Sequence, residues 1–340
     1  MDHENHEPSE SGTPLIRHVG VCLDRSPFGD RVVPHAVALV KAFGAKLTLL
    51  HALEPPHART EATPTDPLEW ELQRTLALRH LAAVESEYAT PELSLASEIL
   101  EGRPAEEIRD WAASHELDLI VLGSHGASGW TEWSLASTAR KLIEGIAGSV
   151  LLVPAWSIQE PLKRKVTYNR VLVLLDGSRR AESALPVAMS VARAHGSDVI
   201  LLHVVPHPER SCPSPLEEGE HDLEQRLIDR NMRAARLYLE DIRKRVARSG
   251  LHVNALVTID GDVRSEILRH IAVDHIDLLV FSGHGSGGRA ELPFGSVAGF
   301  LLEHATVPLL VVRDRTAQTS RPPVRSRNLG PARLPQLADS

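Results

Sequence analysis

Two stretches of the chain are nearly the same: VGVCLDRS at Val19–Ser26 and VLVLLDGS at Val171–Ser178. Each is an apolar run that ends in Asp, one further residue and Ser. Asp24 and Asp176 are 152 residues apart. The same offset joins three further pairs: Pro34/Pro186, Gly44/Gly196 and His51/His203. The repeat indicates that the chain contains the beginning of one domain twice.

A second constant offset, of 159 residues, joins later positions. It relates Gly102/Gly261, Asp118/Asp277, His125/His284, Gly126/Gly285 and Ser137/Ser296. The change of offset indicates one insertion of seven residues between His203 and Gly261. We predict that the insertion lengthens a solvent loop around residues 206–222, PHPERSCPSPLEEGEHD, because this segment is rich in Pro and Glu.

The repeat predicts two domains, residues 16–156 and 168–313, joined by a linker at 157–167. A length of 340 residues suits two domains, each large enough to bury its own core. Residues 1–15 and 314–340 are polar and lack apolar periodicity, so we expect two disordered tails.

The bulk composition is that of a globular protein, with 42% hydrophobic and 24% charged residues. The net charge of −8 argues against a general surface for nucleic acid or anionic membranes. No stretch approaches the roughly 20 apolar residues that span a bilayer, and the polar amino terminus is not a secretory signal. The two cysteines form neither a disulfide framework nor a metal-binding spacing. We therefore expect a cytoplasmic protein that contacts neither nucleic acid nor membrane.

Short apolar runs alternate with helical patterns in both copies. Runs that are apolar at nearly every position are typical of parallel strands covered on both faces. Ten strands are predicted, at residues 19–23, 46–53, 93–100, 117–123, 149–154, 171–175, 198–205, 252–259, 276–282 and 307–312. Helices are predicted in the first copy at Arg31–Phe43, Pro67–Tyr88, Pro104–His115 and Thr138–Ala147, with matching segments in the second. The order predicts an α/β protein with two tandem doubly wound parallel five-stranded sheets.

Ligands of open parallel sheets bind at the carboxyl ends of the strands. Asp24 and Asp176 follow the first strand of each copy at this edge, and Ser26 and Ser178 come two residues later. A carboxylate here can accept hydrogen bonds from a ribose hydroxyl, or coordinate a metal through water. The alternative is that Asp and Ser only cap the next helix.

A glycine-rich loop follows the fourth strand in both copies, GSHGASG at 123–129 and SGHGSGG at 282–288. Glycine lets backbone N–H groups approach an anion, and a helix start supplies further N–H groups. We therefore predict a phosphate cradle in each copy. Its residues are Gly123, His125, Gly126, Gly129, Ala136, Ser137 and Thr138 in the first copy, and Gly261, Gly283, His284, Gly285, Gly288, Gly295, Ser296 and Val297 in the second.

The repeated histidines favour structural roles. His51 and His203 end the second strands, where we expect each ring to bond to a backbone carbonyl. His125 and His284 are expected to shape the glycine-rich loop or touch phosphate, because no partner carboxylate is repeated beside them. The P-loop, G-x-G-x-x-G after the first strand, G-x-S-x-G, HExxH and CxxC motifs do not occur. We therefore predict no catalytic residues.

These motifs resemble those of the universal stress protein family, and the resemblance covers about residues 16–313. The family pattern is G-x-x-G, nine residues, then G-[ST]. Its positions hold Gly123, Gly126, Ala136 and Ser137 in the first copy, and Ser282, Gly285, Gly295 and Ser296 in the second. A family turn before the third helix is matched by Gly102-Arg103-Pro104 and Gly261-Asp262-Val263. Each copy thus departs from the G-x-x-G pattern at one glycine.

The resemblance implies an adenine nucleotide alpha hydrolase-like fold of strand order 3-2-1-4-5. It also implies ATP or another adenine nucleotide with Mg²⁺, the ribose near Asp24 and Asp176 and the phosphates on the glycine loop and Ser137 or Ser296. Domains of the family pair through their fifth strands, so we expect intramolecular pairing and a homodimer. The second copy keeps Gly295-Ser296 and has the wider run of glycines, so it is slightly favoured as the better site.

The expected function is that of a nucleotide-loaded sensor or adaptor in the stress response, with at most slow ATP hydrolysis. Two alternatives stay open. One is a nucleotide-free scaffold that acts through contacts with protein partners. The other is an adenylating enzyme of the ATP-pyrophosphate type, which would need an SGGxDS loop where this chain has LDRSPF and LDGSRR.

Overall fold

The structure is a computed structural model that describes residues 15–26, 28–54, 66–125, 135, 137–155, 165–208, 218–260, 262–284 and 294–313. The predictions for residues 1–14 and 314–340, and for most of the linker, lie outside the described residues. Within the described ranges, none of the helices has the length and apolar character needed to cross a membrane.

The first domain alternates strands and helices as predicted. Its elements are β1 (His18–Leu23), a 3₁₀ turn (Asp30–Val32), α1 (Val33–Phe43), β2 (Lys46–Leu53), α2 (Pro67–Tyr88), β3 (Leu95–Glu101), α3 (Pro104–Ser114), β4 (Leu119–Gly123), α4 (Ser137–Gly145) and β5 (Ser149–Val153).

The second domain repeats this order with one extra short helix. Its elements are β6 (Arg170–Leu174), α5 (Arg179–Glu182), α6 (Ala184–His195), β7 (Asp198–Pro206), α7 (Glu218–Ala247), β8 (Val253–Asp260), α8 (Val263–Val273), β9 (Leu278–Ser282), α9 (Ser296–His304) and β10 (Leu309–Val312).

All ten strands form one sheet of order β3-β2-β1-β4-β5-β10-β9-β6-β7-β8. Each half has the predicted order 3-2-1-4-5, with parallel neighbours. The halves join where β5 and β10 pair antiparallel, with Leu152 opposite Leu309 and Val150 opposite Val311. The pairing of fifth strands that the resemblance implied is therefore present within the chain.

Apolar side chains on both faces of the sheet explain the continuous apolar runs. Successive residues of a strand point to opposite faces. On β4, Leu119 and Val121 belong to one buried cluster, and Ile120 and Leu122 to the other. Helices α1, α2, α6 and α7 supply buried residues to the first cluster, and α3, α4, α8 and α9 to the second. Each strand of the central sheet is thus covered from two sides.

The first long helix of each domain ends at a glycine. Gly44 and Gly196 have φ angles of 63° and 67°, in the left-handed region that glycine adopts without a steric penalty. Their N–H groups donate to the carbonyls of Val40 and Ala192. The left-handed glycine explains why each of these two helices ends where the sequence predicted.

The insertion lies in a helix, so the prediction of a loop is wrong for residues 218–222, although residues 207–208 belong to neither a helix nor a strand. Helix α7 has 30 residues and α2 has 22. Residues 218–222 of the predicted loop are helical, Pro206 ends β7, and residues 209–217 lie outside the described ranges. Acidic residues stabilise the first turn of a helix, and seven residues add about two turns, which nearly preserves the buried face.

Contacts on both faces of the sheet hold the domains together. On one face α1 packs against α6, and His35 Nδ1 lies 2.9 Å from the hydroxyl of Tyr168, which is fully buried. On the other face the guanidinium of Arg313, just after β10, donates to the carbonyls of Ile143 and Ile146 at the end of α4. A cation here complements the negative end of the helix dipole.

A repeated aspartate braces the edge opposite to the carboxyl ends. Asp118 Oδ2 accepts hydrogen bonds from the backbone N–H groups of Arg17 at 2.8 Å and His18 at 3.1 Å. Asp277 accepts in the same way from Asn169 at 2.7 Å and Arg170 at 3.0 Å. The carboxylate ties the start of the first strand of each domain to the start of the fourth.

Candidate functional site

A cleft opens at the carboxyl ends of the strands in each domain, at the point where the strand order reverses. The first cleft lies between β1 and β4 and has a volume of about 960 Å³. The second lies between β6 and β9 and has a volume of about 370 Å³. Both volumes are in the range of small-molecule sites, roughly 300–1,000 Å³. We call them the first cleft and the second cleft.

The repeated aspartates line the clefts, whereas the repeated serines stabilise the turn beneath them. Asp24 Oδ1 accepts from the backbone N–H of Ser26 at 3.0 Å and from its hydroxyl at 2.5 Å. The Ser26 Oγ in turn accepts from the N–H of Gly29 at 2.9 Å. Ser26 is buried and is not among the described residues that line the first cleft.

The second copy has the same turn. Asp176 Oδ1 accepts from the N–H of Ser178 at 3.0 Å, and Ser178 Oγ accepts from the N–H of Ala181 at 3.1 Å as the N-cap of α5. Ser178 is likewise not among the described lining residues. The capping alternative therefore describes Ser178, whereas Ser26 stabilises the turn without capping the helix that follows. The two aspartates stay candidates for a ligand.

The residue between Asp and Ser differs between the copies. Arg25 has a φ of 59° and Gly177 a φ of 82°, so both are left-handed. An arginine is rare in this conformation, which costs a non-glycine residue about 1–2 kcal/mol. Its guanidinium lines the first cleft and donates to Gln73 Oε1 at 2.7 Å. Arg25 is not among the predicted site residues, although a charged residue opposite a glycine in the repeat was a usable signal.

The end of β4 is fixed by a short hydrogen-bond chain. Ser124 Oγ accepts from the N–H of Ala155 at 3.0 Å and lies 2.9 Å from His125 Nδ1. His125 is buried and lines the first cleft together with Gly123. The ring is thus held against the end of β5, in agreement with a role in shaping the loop.

The end of β9 has the same backbone hydrogen bond as the end of β4, where the N–H of Ser124 donates to the carbonyl of Val153 at 3.0 Å, but it lacks the serine side chain. Gly283 stands where the first copy has Ser124, and its N–H donates to the carbonyl of Val312 at 3.2 Å. The N–H of Gly295 donates to the carbonyl of Gly283 at 3.1 Å, so both ends of the glycine-rich loop meet. Gly283 and His284 line the second cleft. Six predicted residues lie outside the described ranges: Gly126, Gly129, Ala136, Gly261, Gly285 and Gly288.

The starts of α4 and α9 reach the clefts as predicted. Ser137 and Thr138 line the first cleft, and Gly295, Ser296 and Val297 line the second. Gly295 is the N-cap of α9, and no side chain accepts a hydrogen bond there as a cap. The N–H groups of a first helical turn have no partner within their helix, and together with the helix dipole they favour an anion.

The histidines at the ends of the second strands are not equivalent. His51 is buried, and its Nδ1 lies 2.8 Å from the carbonyl oxygen of Leu23, which confirms the prediction for this residue. His203 Nδ1 is shielded from solvent and has no hydrogen-bond partner among the described residues, so the prediction is wrong there. Its ring lies edge-on to Tyr238 instead, with the centroids 6.2 Å apart.

Burial keeps these rings neutral. Removal from water lowers the pKa of His51 and of His203, although Asp176 opposes the shift at His203. A neutral ring can both donate and accept one hydrogen bond, as the edge of a nucleobase requires. Nothing in the repeat distinguished the two histidines, because the difference depends on the neighbouring backbone and on Tyr238.

The two clefts differ most clearly in the charged side chains that line them. The first cleft is lined by the cations Arg25, Arg103 and Lys141 and by the carboxylates Asp24, Glu54, Glu69 and Glu106. Among the described residues lining the second cleft, Asp176 is the one carboxylate and no Lys or Arg occurs; most of the others are apolar.

Protein side chains alone do not form a metal centre in the part of the chain that the structure describes. No group of three or more His, Cys, Asp or Glu residues is arranged there to hold an ion. Asp24 and Asp176 each offer a single carboxylate to their cleft.

Comparison with known proteins identifies the family. A model of the universal stress protein family matches residues 15–154 and, a second time, residues 167–313. The chain belongs to the universal stress protein family. It carries two such domains in tandem, each with the adenine nucleotide alpha hydrolase-like fold.

Curated relatives and solved structures span most of this universal stress protein. One of Mycolicibacterium smegmatis is 24% identical over 303 residues, which are 87% of this chain and 96% of the relative. Universal stress protein Rv2005c of Mycobacterium tuberculosis is 26% identical over 238 residues, or 68% of this chain and 73% of the relative. The crystal structure of a universal stress protein from Archaeoglobus fulgidus aligns with a TM-score of 0.58 and 17% identity, covering 89% of this chain and 99% of that chain. This last likeness shows the shared fold.

Proposed function

We propose that this universal stress protein binds an adenine nucleotide, with ATP as the first candidate, and acts as a nucleotide-loaded sensor or adaptor in a stress response. One observation carries the proposal. In both copies one cleft is lined by a carboxylate that follows the first strand, by the end of the fourth strand and by the start of the next helix, α4 or α9. This is the edge at which doubly wound sheets bind nucleotides.

Each part of the cleft suits one part of a nucleotide. The carboxylates of Asp24 and Asp176 are hydrogen-bond acceptors for ribose hydroxyls. The N–H groups at the starts of α4 and α9 are donors for a phosphate. Near the second strands, His51 and His203 lie beside apolar residues that can cover a base. The roles of the predicted residues, including those outside the described ranges, belong to this proposal.

Binding suits the described side chains better than catalysis. Desolvation lowers the pKa values of the buried His51 and the partly buried His203, and the serine hydroxyls beneath the aspartates are engaged in the turn. A Mg²⁺ ion would enter with the nucleotide, because Mg²⁺ is commonly held by one or two carboxylates together with substrate phosphates. Homodimer formation and a cytoplasmic location stay predictions.

The test combines mass spectrometry of nucleotide retained by the native protein with calorimetric titration of ATP and Mg²⁺. We expect retained adenine nucleotide or measurable binding heat. Ser137→Glu and Ser296→Glu place a carboxylate at a helix start and should weaken phosphate binding in their own cleft about tenfold or more, because like charges repel.

A matched control is Ser86→Glu, on the exposed face of α2. It introduces the same charge far from both helix starts and should leave the binding heat unchanged. If the native protein retained no nucleotide and gave no heat at millimolar ATP, the nucleotide-free scaffold would become the better hypothesis.

A further inference from the structure

We propose that the two clefts select different adenine ligands: the first cleft takes a ligand with two or three phosphates, and the second takes one with at most one phosphate. The inference rests on the proposed function and deepens it. It reverses the slight preference for the second copy, which depended on Gly295-Ser296 and on the wider run of glycines in its loop. The reason lies in the side chains beyond the shared helix start.

Both clefts offer the same first anchor for an anion. Ser137 begins α4 and Ser296 begins α9 at equivalent places of the repeat. A helix start can hold one phosphate through its N–H groups. A second and a third phosphate extend farther and bring more negative charge, which needs additional donors or cations.

Lys141 supplies such a cation in the first cleft. It lies four residues after Ser137, so both residues are on the same face of α4 and both line the cleft. Its side chain is exposed, and it makes no ion pair with the described residues. An ammonium group on a flexible stem can follow the phosphates of a bound nucleotide.

The equivalent residue of the second copy is an aromatic residue committed to packing. Phe300 lies four residues after Ser296, and its ring stacks on His304 with the centroids 4.1 Å apart. The guanidinium of Arg264 lies 5.2 Å from the same ring and is paired with Asp262 at 2.9 Å. No cation takes the place of Lys141 among the described residues that line the second cleft.

The other two cations of the first cleft are also replaced. Arg25 corresponds to Gly177, and Arg103 corresponds to Asp262. Arg103 precedes α3, where a positive charge opposes the helix dipole unless an anion is bound nearby. Asp262 precedes α8 and caps it, accepting from the N–H of Arg264 at 3.2 Å. The first copy therefore has a cation, Arg103, at the position where the second copy has Asp262, which caps and stabilises α8.

The first cleft is lined by four carboxylates as well as by its three cations. Glu54 and Glu69 flank the connection from β2 to α2, and Glu106 is 3.5 Å from Arg103. Asp24 is engaged by Ser26 in the turn after β1. Arg25 donates to Gln73 and Arg103 is paired with Glu106, whereas Lys141 lies on the same face of α4 as Ser137. We therefore assign the distal phosphates to the ammonium of Lys141. The larger volume of the first cleft agrees with a longer ligand.

The test uses the full chain and four probes: ATP, ADP, AMP and adenosine, each titrated by calorimetry. Hydrogen–deuterium exchange of α4 and α9 then reports which cleft each probe protects. We expect ATP to protect α4 more than AMP does, and AMP to protect α9 at least as well as ATP does. Lys141→Phe, which copies the second domain, should weaken ATP binding about three- to tenfold and leave adenosine binding unchanged.

Two arginines of the second copy provide the matched control. Arg179 and Arg180 follow Ser178 on α5, but they are exposed and are not among the described residues lining the second cleft. Arg179→Gln and Arg180→Gln should leave ATP affinity unchanged. An equal loss in these variants and in Lys141→Phe would overturn the inference, because it would reflect net charge alone.

Failure of the inference can be told apart from failure of the proposed function. If none of the four probes bound either cleft, both would fall together. If the probes bound, but ATP protected α4 and α9 equally or Lys141→Phe kept full ATP affinity, the proposed function would stand and the inference alone would be overturned.

Discussion

Helices α3 and α8 occupy equivalent places in the two domains, but different side chains pack on their faces. On α8, His270 lies between two carboxylates, with Nε2 3.2 Å from Glu266 Oε1 and Nδ1 2.7 Å from Asp274 Oδ2. On α3 the positions equivalent to His270 and Asp274 hold Trp111 and His115, whose rings stack with centroids 4.3 Å apart. In both helices residues four apart meet on one face.

The comparison teaches which positions of a duplicated domain are free to change. A pair of side chains can be replaced as a unit, from hydrogen-bonded charges to stacked rings, if its volume and its polar groups are provided for. A side chain that accepts hydrogen bonds from backbone N–H groups cannot be replaced in this way, because those groups would lose their acceptor. Asp118 and Asp277 hold the same N–H groups in both domains and are identical.

The largest effect is expected for the shared aspartates. Asp118 is buried, so Asp118→Ala leaves backbone N–H groups without an acceptor and should lower the free energy of unfolding by about 2–4 kcal/mol. Asp277 accepts from the more exposed residues Asn169 and Arg170, so Asp277→Ala should lower it by about 1–2 kcal/mol. Urea unfolding measures both.

The control for this comparison is Asp110→Ala, because Asp110 is exposed on α3. We expect its unfolding midpoint to stay near that of the native protein. Equal losses for Asp118→Ala and Asp277→Ala would show that burial does not distinguish the two braces.

The charged chain on α8 should make the second domain sensitive to acid. A hydrogen bond from Arg269 lowers the pKa of Glu266 from 4.5 to about 2. A lowered carboxyl pKa contributes stability that is present above pH 4.5 and is lost as the pH falls toward 2. Glu266→Ala should therefore cost about 1–3 kcal/mol at pH 7 and less at pH 3.

The equivalent residue of the first domain, Glu107, provides the internal control. It is less buried than Glu266, and the structure gives it no ion pair with the described residues. Glu107→Ala should cost less than Glu266→Ala at pH 7 in urea unfolding. The idea of a charged brace would be abandoned if both variants lost the same stability at every pH.

A buried histidine at the domain junction should add a second pH dependence. Burial lowers the pKa of His35 from 6.5 to about 4. Between pH 6.5 and 4 the histidine is protonated in the unfolded chain but not in the folded chain. The stability of the folded state is therefore greatest above pH 6.5 and is lost as the pH falls toward 4. His35→Val copies Val187 of the second domain and should flatten the pH profile in this window by about 1–2 kcal/mol.

The variant also removes the partner of the Tyr168 hydroxyl, so at pH 7 it should be less stable than the native protein by about 1 kcal/mol. The control His221→Val changes an exposed histidine of α7 and should leave the pH profile unchanged. Parallel profiles for the native protein and His35→Val between pH 6.5 and 4 would contradict the prediction.

The smallest effect is expected for an ion pair that exists on one side of the junction alone. Arg140 Nη2 lies 2.5 Å from Glu303 Oε1, and both side chains are partly exposed. The equivalent positions hold Gly299 and Glu144, which cannot form the pair. Arg140→Gln should cost at most about 1 kcal/mol, and less in high salt.

Chemical unfolding at low and high NaCl measures what the Arg140–Glu303 ion pair contributes to stability. The control is Glu144→Gln, which changes the glutamate equivalent to Glu303 in the first domain. We expect no effect from Glu144→Gln. A loss from Arg140→Gln that persisted at high salt would indicate that packing of its methylene stem, rather than charge, holds the junction.

Much of the fold was predictable from the repeat and the apolar runs. The strand Lys46–Leu53 and the helix Pro67–Tyr88 have the predicted bounds, because apolar periodicity and capping are local properties. The place of the insertion was not predictable from composition. Its Pro and Glu residues fit a loop, yet the glutamates extend the first turns of α7, where an acidic helix start is stabilised by the dipole.

The candidate site was predictable in its backbone and less so in its side chains. Asp24 and Asp176 line the clefts because each directly follows a strand, and their part in binding stays a prediction. Arg25, Arg103 and Lys141 were missed, since they are far apart in the chain and become neighbours only when the strands align. His203 differs from His51 for the same reason: its surroundings come from Tyr238, on a helix 35 residues later.

The sequence by itself determined two doubly wound domains and the edge of the sheet where a ligand would bind. Both follow from short-range rules, namely the apolar runs of buried strands, the glycines that end helices and the acidic residue after a strand. The tertiary structure decided that the halves share one sheet of ten strands and that their clefts differ in volume and in the number of charged side chains among the described lining residues. Those properties depend on which distant side chains meet, and this is fixed only when the whole chain is packed.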